Sequence, residues 1–315
     1  MAHLIDIVTS FTMRIAFGPE IPEFGSWQWV GQDLADELSL QVETVTFRDQ
    51  VPECDVVVFV KFKPDRYTLQ AVARRSHIVY CPVDIYGSAA EIDGDWQALR
   101  LCDLVIVHCR RLVKYFHSYS RVQYIDHHLK FITTELPPTH PRSGPILWTG
   151  SHSNLPPLVE WVNHHGLPEE LWLLTDVDQG GCDAHALGFM PSQRVRVRVE
   201  RWTPERHIEW AGLARAAIDV KGDDFRARHK PPAKALDFIA SGLPLAMNHD
   251  SSSVEHLKVL GINITGPADE QRWLSEDYWK STRDIAKNIR SQLSRDLVAH
   301  KWLVAMQSIQ RLPAR

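Results

Sequence analysis

Between Arg228 and Met247 the chain reads Arg-His-Lys-Pro-Pro-Ala-Lys-Ala-Leu-Asp-Phe-Ile-Ala-Ser-Gly-Leu-Pro-Leu-Ala-Met. Arg228, His229, Lys230 and Lys234 gather positive charge around two prolines, Pro231 and Pro232. Proline suits the first turn of a helix, where a missing N–H costs nothing. Leu236, Ile239 and Ala240 then fall on one helical face, and Gly242 followed by Pro244 marks the helix end. A helix N-terminus flanked by four such groups is a site for an anion, and a phosphate fits it best. Asp237, one turn further in, is placed to accept hydrogen bonds from the paired hydroxyls of a sugar.

Such a loop needs a sheet to hold it, and the rest of the chain supplies two. In the first half, Met13 to Phe17, Val42 to Phe47, Asp55 to Val60, His77 to Tyr80 and Leu104 to Val107 read as strands. Helices are expected over 27–38, 65–75 and 111–119, and the first ten residues read as a small extra strand or an extension. The stretch 134–144, with Pro137, Pro138, Pro141 and Gly144, reads as a linker. Strands at 146–148, 171–174, 195–199, 216–220 and 262–264 follow, with helices at 156–165, 203–214 and 254–260 between them. Alternating arginines in 195–199 mark an edge or an exposed face. From Ala268 the sequence is helical, and Ile285, Ile289, Leu293 and Leu297 recur every four residues. Continuous apolar strands alternating with helices predict parallel sheets covered on both faces. The fold class is therefore α/β: two Rossmann-like doubly wound lobes, with ligands expected at the carboxyl ends of strands in an interlobe cleft.

The segment Pro232-Ala233-Lys234, Asp237, Ala240-Ser241-Gly242-Leu243-Pro244-Leu245 resembles the nucleotide-sugar-binding segment of GT-B glycosyltransferases. The likeness is greatest to the large retaining family that builds bacterial glycans. It implies an N-terminal acceptor-side lobe over 1–136 and a nucleotide-sugar-binding lobe over 145–280. It also implies C-terminal helices over 281–315 that pack back on the first lobe. By this likeness Lys234 stabilises the leaving diphosphate, with Arg228 or Lys230 as partner, and His229 stands where the family carries an acidic residue. The loop Gly150-Ser151-His152 implies a contact to phosphate or acceptor, with His152 a candidate for the chemistry. Ser252, Ser253 and Glu255 correspond to a second donor-binding loop, in which this chain has serines in place of the family's glycines. Asp84, after the strand at 77–80, corresponds to an interlobe loop and is placed for a sugar hydroxyl or, with inversion, for general base catalysis. Glu23 and Trp27, beside the loop 18–26, are the acceptor-side candidates.

Composition narrows the function further. The chain has 315 residues, enough for two cores, and a net charge of −4, which argues against nucleic acid as a partner. No apolar run reaches the length of a bilayer span, so any membrane contact is peripheral, and the N-terminus lacks the features of a secretory signal. Five cysteines without a paired framework suit a reduced, cytoplasmic setting. No zinc-type spacing occurs, and neither a metal nor another cofactor is expected. Glycine-rich dinucleotide and P-loop signatures are missing too. The expected activity is transfer of a sugar from a UDP- or GDP-linked donor to a glycan, lipid-linked glycan or small-molecule hydroxyl, without metal and with retention. The alternatives are a catalytically silent binding or scaffold subunit of the same fold, and a nucleotide-sugar epimerase. Oligomeric state is not readable from the sequence.

Overall fold

A computed structural model describes residues 13–178, 180–190 and 195–310. The possible extra strand in the first ten residues lies outside them. The chain forms two compact units. Unit 1 holds the residues up to Val107, Leu112–Ile125 and those from Arg295 onward; unit 2 holds His108–Arg111 and Asp126–Ser294. The Pro-rich stretch 134–144 thus lies inside unit 2.

Unit 1 is built on Arg14–Gly18 (β1), Glu43–Thr46 (β2), Val56–Val60 (β3), His77–Cys81 (β4), Leu104–Val107 (β5) and Val122–Tyr124 (β6). They form one parallel sheet in the order β2-β1-β3-β4-β5-β6. β3 is Val-Val-Val-Phe-Val and buried throughout, as a central strand covered on both faces must be. Between strands the chain is helical at Arg66–Ala73, where Asp65 caps the first turn by accepting from the Tyr67 and Thr68 amides. The helix expected over 111–119 is instead a 3₁₀ turn, Arg110–Leu112, followed by one α-turn, Val113–Phe116.

Unit 2 carries Ile146–Thr149 (β7), Leu171–Thr175 (β8), Val197–Arg201 (β9), Ala216–Asp219 (β10) and Leu245–Met247 (β11). All pairs are parallel and the order is β11-β10-β7-β8-β9, so β9 with its alternating arginines is an edge. The segment expected as a strand at 262–264 forms no ladder; only a single bridge joins Thr265 to Ala246. Trp148, Trp210 and Trp273 are buried in this unit, which accounts for several of the chain's tryptophans as core.

The helical tail is not one rod. Glu276–Gln292 ends with Leu293 as its cap, and Arg295–Gln310 starts afresh. The first helix packs on Ala233–Ala240 in unit 2, where Arg290 donates to the carbonyls of Ala240, Thr133 and Thr134. The second belongs to unit 1 and packs on Asp33–Leu38 there. Leu297, expected on the buried stripe, is exposed; the buried face is Val298, Ala299, Trp302, Leu303, Met306 and Ile309. The break rotates the four-residue stripe out of phase, so the two helices bury different faces. Among the described residues no helix is long and apolar enough to cross a membrane. All five cysteines are free thiols.

Candidate functional site

In unit 2 the strand order reverses direction of growth at β7: β8 and β9 lie to one side, β10 and β11 to the other. Loops after β7 and β10 therefore leave on opposite faces and open a crevice at their carboxyl ends, which is where ligands bind in sheets of this kind. Thr149 ends β7 and Asp219 ends β10. Lys234 reaches both: its Nζ donates to the Thr149 carbonyl at 2.7 Å and lies 2.6 Å from Asp219 Oδ1. The same ammonium sits 4.7 Å from the centre of the Trp148 ring, a cation–π contact that replaces part of its lost hydration.

Two more lysines join it. Lys221 Nζ is 2.8 Å from Asp219 Oδ2, and Lys230 Nζ donates to Asn154 Oδ1. Asp219 is 2% exposed, and although burial alone would raise its pKa, Lys221 and Lys234 hold it down at about 2. Burial draws the Lys234 ammonium down to about 7, against the pull of Asp219. One carboxylate thus holds two ammoniums, with the third, that of Lys230, on Asn154, and the excess positive charge is what an anion would neutralise.

The backbone completes the crevice. Ala233–Ala240 is a helix whose N-cap is Pro232, so it opens just after the two prolines and not on them. Its first-turn amides have no partner within the helix. Gly242 ends it in the left-handed region at φ +78°, with Leu243 N–H donating to Phe238 and Gly242 N–H to Ile239, the two bonds of a Schellman motif. Gly150 follows β7 directly. A Cβ there would lie 2.9 Å from the Trp148 ring, so glycine is what lets the loop pass this close to the ring on which Lys234 Nζ sits.

The expected site residues divide into two groups. Gly150, Ser151, Lys230 and Lys234 are brought together at the crevice. Ser151 shares a 3.0 Å hydrogen bond with Ser153, and the His152 backbone N–H donates to Asp176 while the imidazole is exposed. Arg228 pairs with Asp250 at 2.7 Å and donates to the Asp223 carbonyl. His229 stacks on Phe225 at 4.0 Å, with Nδ1 against the Phe225 carbonyl. Ser252 Oγ donates to the Lys230 carbonyl, which ties the serine loop to the cationic one. Ser251, not Ser252, caps the following helix Ser252–Val259, and Ser253 is buried.

Three expectations change. Asp237 is 2% exposed and its carboxylate accepts the backbone N–H groups of Lys130 and Phe131, so it fixes the chain rather than facing a sugar. Burial pushes its pKa up to about 7 despite those two bonds. Glu255 is taken by Arg111, 2.6 Å away, which also donates to the carbonyls of Arg228 and Asp250. Trp27 is 4% exposed and lies against Gly31 inside the π-helix Trp27–Gln32, so it is core and not an acceptor contact. Glu23 is exposed.

Unit 1 offers its own candidate features. Lys61 and Asp84, at the carboxyl ends of the neighbouring strands β3 and β4, both have φ in the left-handed region, +64° and +52°. Non-glycine residues held there cost on the order of 1–3 kcal/mol and cluster at functional sites. A cavity of about 550 Å³ is lined by Phe47, Phe59, Phe62, Lys63, Pro64 and Arg75 among others, and by neither Glu23 nor Trp27. Asp219, Lys221, Arg111 and these aromatics were not singled out by the sequence. A signal existed for one of them: an aspartate closing the strand Ala-Ala-Ile-Asp has to find a partner. Among the described residues no group of three or more His, Cys, Asp or Glu side chains could hold a metal ion.

No protein-family model matches the sequence, and neither does any curated protein. Solved structures are. A trehalose-6-phosphate synthase, studied for glycosyl transfer with retention, matches with a TM-score of 0.58 at 10% identity, over 88% of this chain and 77% of that one. The N-terminal domain of Candida albicans trehalose-6-phosphate phosphatase matches with a TM-score of 0.61 at 10% identity, over 95% and 98%. The pneumococcal O-GlcNAc transferase GtfA, in complex with UDP and GlcNAc, matches with a TM-score of 0.53 at 12% identity, over 89% and 60%. With two parallel Rossmann-like sheets and these neighbours, the chain has the fold of the GT-B glycosyltransferases.

Proposed function

We propose that unit 2 binds the diphosphate of a nucleotide-linked sugar and that the chain transfers this sugar to a hydroxyl acceptor. The observation that carries the proposal is the cluster of Lys221, Lys230 and Lys234 around the ends of β7 and β10, at the N-terminus of Ala233–Ala240. Breaking the bond between anomeric carbon and phosphate oxygen leaves a growing negative charge on the diphosphate. Fixed cations and amides aimed at that charge supply much of the catalysis in such reactions. Lys234 is half-buried against Trp148 and Thr149, where its charge is felt more strongly than in water. In this proposal the ammoniums and amides take the place of a divalent metal. Retention of configuration is part of it, supported by the motif and by the likeness to the synthase. UDP is the first nucleotide to test, because the GtfA neighbour is in complex with it.

Calorimetry with UDP and GDP, followed by NMR detection of sugar released from a panel of nucleotide sugars, tests the reading. Micromolar nucleotide binding with release or transfer of the α- or β-anomer matching the donor supports it. A chain that binds neither nucleotide at millimolar concentration sinks it. A second reading is favoured by Asp237 and Glu255, whose carboxylates are engaged within the protein. It is a binding subunit of this fold without turnover, and it predicts nucleotide binding with no sugar released.

A further inference from the structure

Asp219 places a negative charge where a phosphate site calls for positive ones. It closes β10 after three apolar residues, and its two oxygens lie 2.6 Å from Lys234 Nζ and 2.8 Å from Lys221 Nζ. Neither lysine is free of the other's field, because both share this one carboxylate. We propose that Asp219 is the positioning residue of the crevice: it fixes both ammoniums at the end of β10 and keeps Lys234 charged beside the Trp148 ring. The geometry stands by itself; its consequence for nucleotide binding rests on the function proposed above.

The groups that face Lys234 can be named. On β10 and just beyond it are Asp219 and Lys221; Lys230 approaches from the loop before its own helix. His207, on the helix Pro204–Leu213, is 3% exposed and kept neutral, first by burial and then by Lys234 itself. The Trp148 ring and the Thr149 carbonyl complete the shell. Of these, Asp219 is the one full negative charge. A carboxylate in contact favours the ammonium form, while desolvation and neighbouring ammoniums disfavour it. Removing Asp219 and removing Lys221 must therefore move the titration of Lys234 in opposite directions.

The experiment follows the Lys234 side chain by NMR across neutral pH in the nucleotide-free protein, for the native chain, D219N and K221M. In D219N Lys234 should lose its proton at least about one pH unit lower, and in K221M at a higher pH than in the native chain. At pH near 7 the same change should weaken UDP binding by D219N about tenfold, with D219E recovering most of it. A packing role for Asp219 would move stability but leave these two opposite shifts absent. A D219N titration at or above the native midpoint overturns the proposal. Should D219N fail to fold, K221M decides: an upward shift supports the proposal, and an unchanged or lower midpoint overturns it. A native chain that never binds UDP refutes the donor reading alone, since the nucleotide-free titration still judges Asp219.

Discussion

At the scale of single residues, Lys234 is the most consequential side chain, and its contribution can be separated from that of its partner. K234M removes the charge and preserves much of the length, but it also leaves Asp219 with Lys221 as its only ammonium. A buried carboxylate stripped of a partner is itself costly. The informative comparison is K234M against K234M/D219N. If Lys234 stabilises the leaving phosphate, both variants should release sugar more than about tenfold more slowly than the native chain, which corresponds to over 1.4 kcal/mol of transition-state stabilisation. Recovery of the native rate in the double variant would show that the loss came from the orphaned carboxylate. Lys230 and Lys234 were singled out in the sequence because they belong to a run of basic residues ahead of an apolar helix; Lys221, just beyond β10, lies outside that run. Asp219 was not singled out, because one acidic residue in an apolar strand does not announce which distant ammonium it meets.

At the scale of elements, the crevice depends on how closely the loop after β7 passes the helix Ala233–Ala240. Gly150 sets that distance. In G150V the Cβ alone would lie 2.9 Å from the Trp148 ring and 3.6 Å from Lys234 Nζ, before the branched methyls are counted. Overpacking of this kind costs about 1–3 kcal/mol. The ring or the ammonium must give way, so UDP affinity should fall by about tenfold or more while the denaturation midpoint drops modestly; unchanged affinity would place the ligand elsewhere. Strands such as β3 and β7 were readable because buried parallel strands are continuous apolar runs. The helix over 111–119 and the buried stripe running on to Leu297 were misjudged for the opposite reason. Their apolar spacing persists across Leu112 and Leu293, and nothing local shows that the backbone breaks there. The strand expected at 262–264 has the right residues but reaches the sheet only through the single bridge of Thr265 to Ala246. Asp237 was misread because helical position fixes a residue's face, not what covers it: here the covering chain is Lys130–Phe131, over a hundred positions away.

At the scale of the whole molecule, the buried titratable groups set how unit 2 responds to acid, and their signs differ. His207 is 3% exposed, with its Nδ1 accepting from Trp202 Nε1 at 3.2 Å. Burial and then Lys234 hold its pKa at about 3, below the ordinary 6.5. Between those values the unfolded chain binds more protons at this position, so its contribution is fully present above about pH 6.5 and is lost as pH falls toward 3. Asp237, raised to about 7, acts in the contrary sense: between about 4 and 7 the folded state holds the extra proton, so acidification through that range strengthens folding. Asp219, held at about 2, adds a loss only below about pH 4. The total slope is a sum of opposing parts and identifies none of them; a difference between variants does. In H207Q the amide oxygen can still accept from Trp202, while the protonation site is gone. Stability measured by urea unfolding from pH 7 to pH 5 should therefore fall less in H207Q than in the native chain. The difference in slope should approach one proton, on the order of 1.4 kcal/mol per pH unit. Equal slopes would mean that the imidazole is charged in the folded protein. An ammonium and an imidazolium would then stand side by side in the crevice, and the charge balance drawn around Asp219 would have to be redrawn.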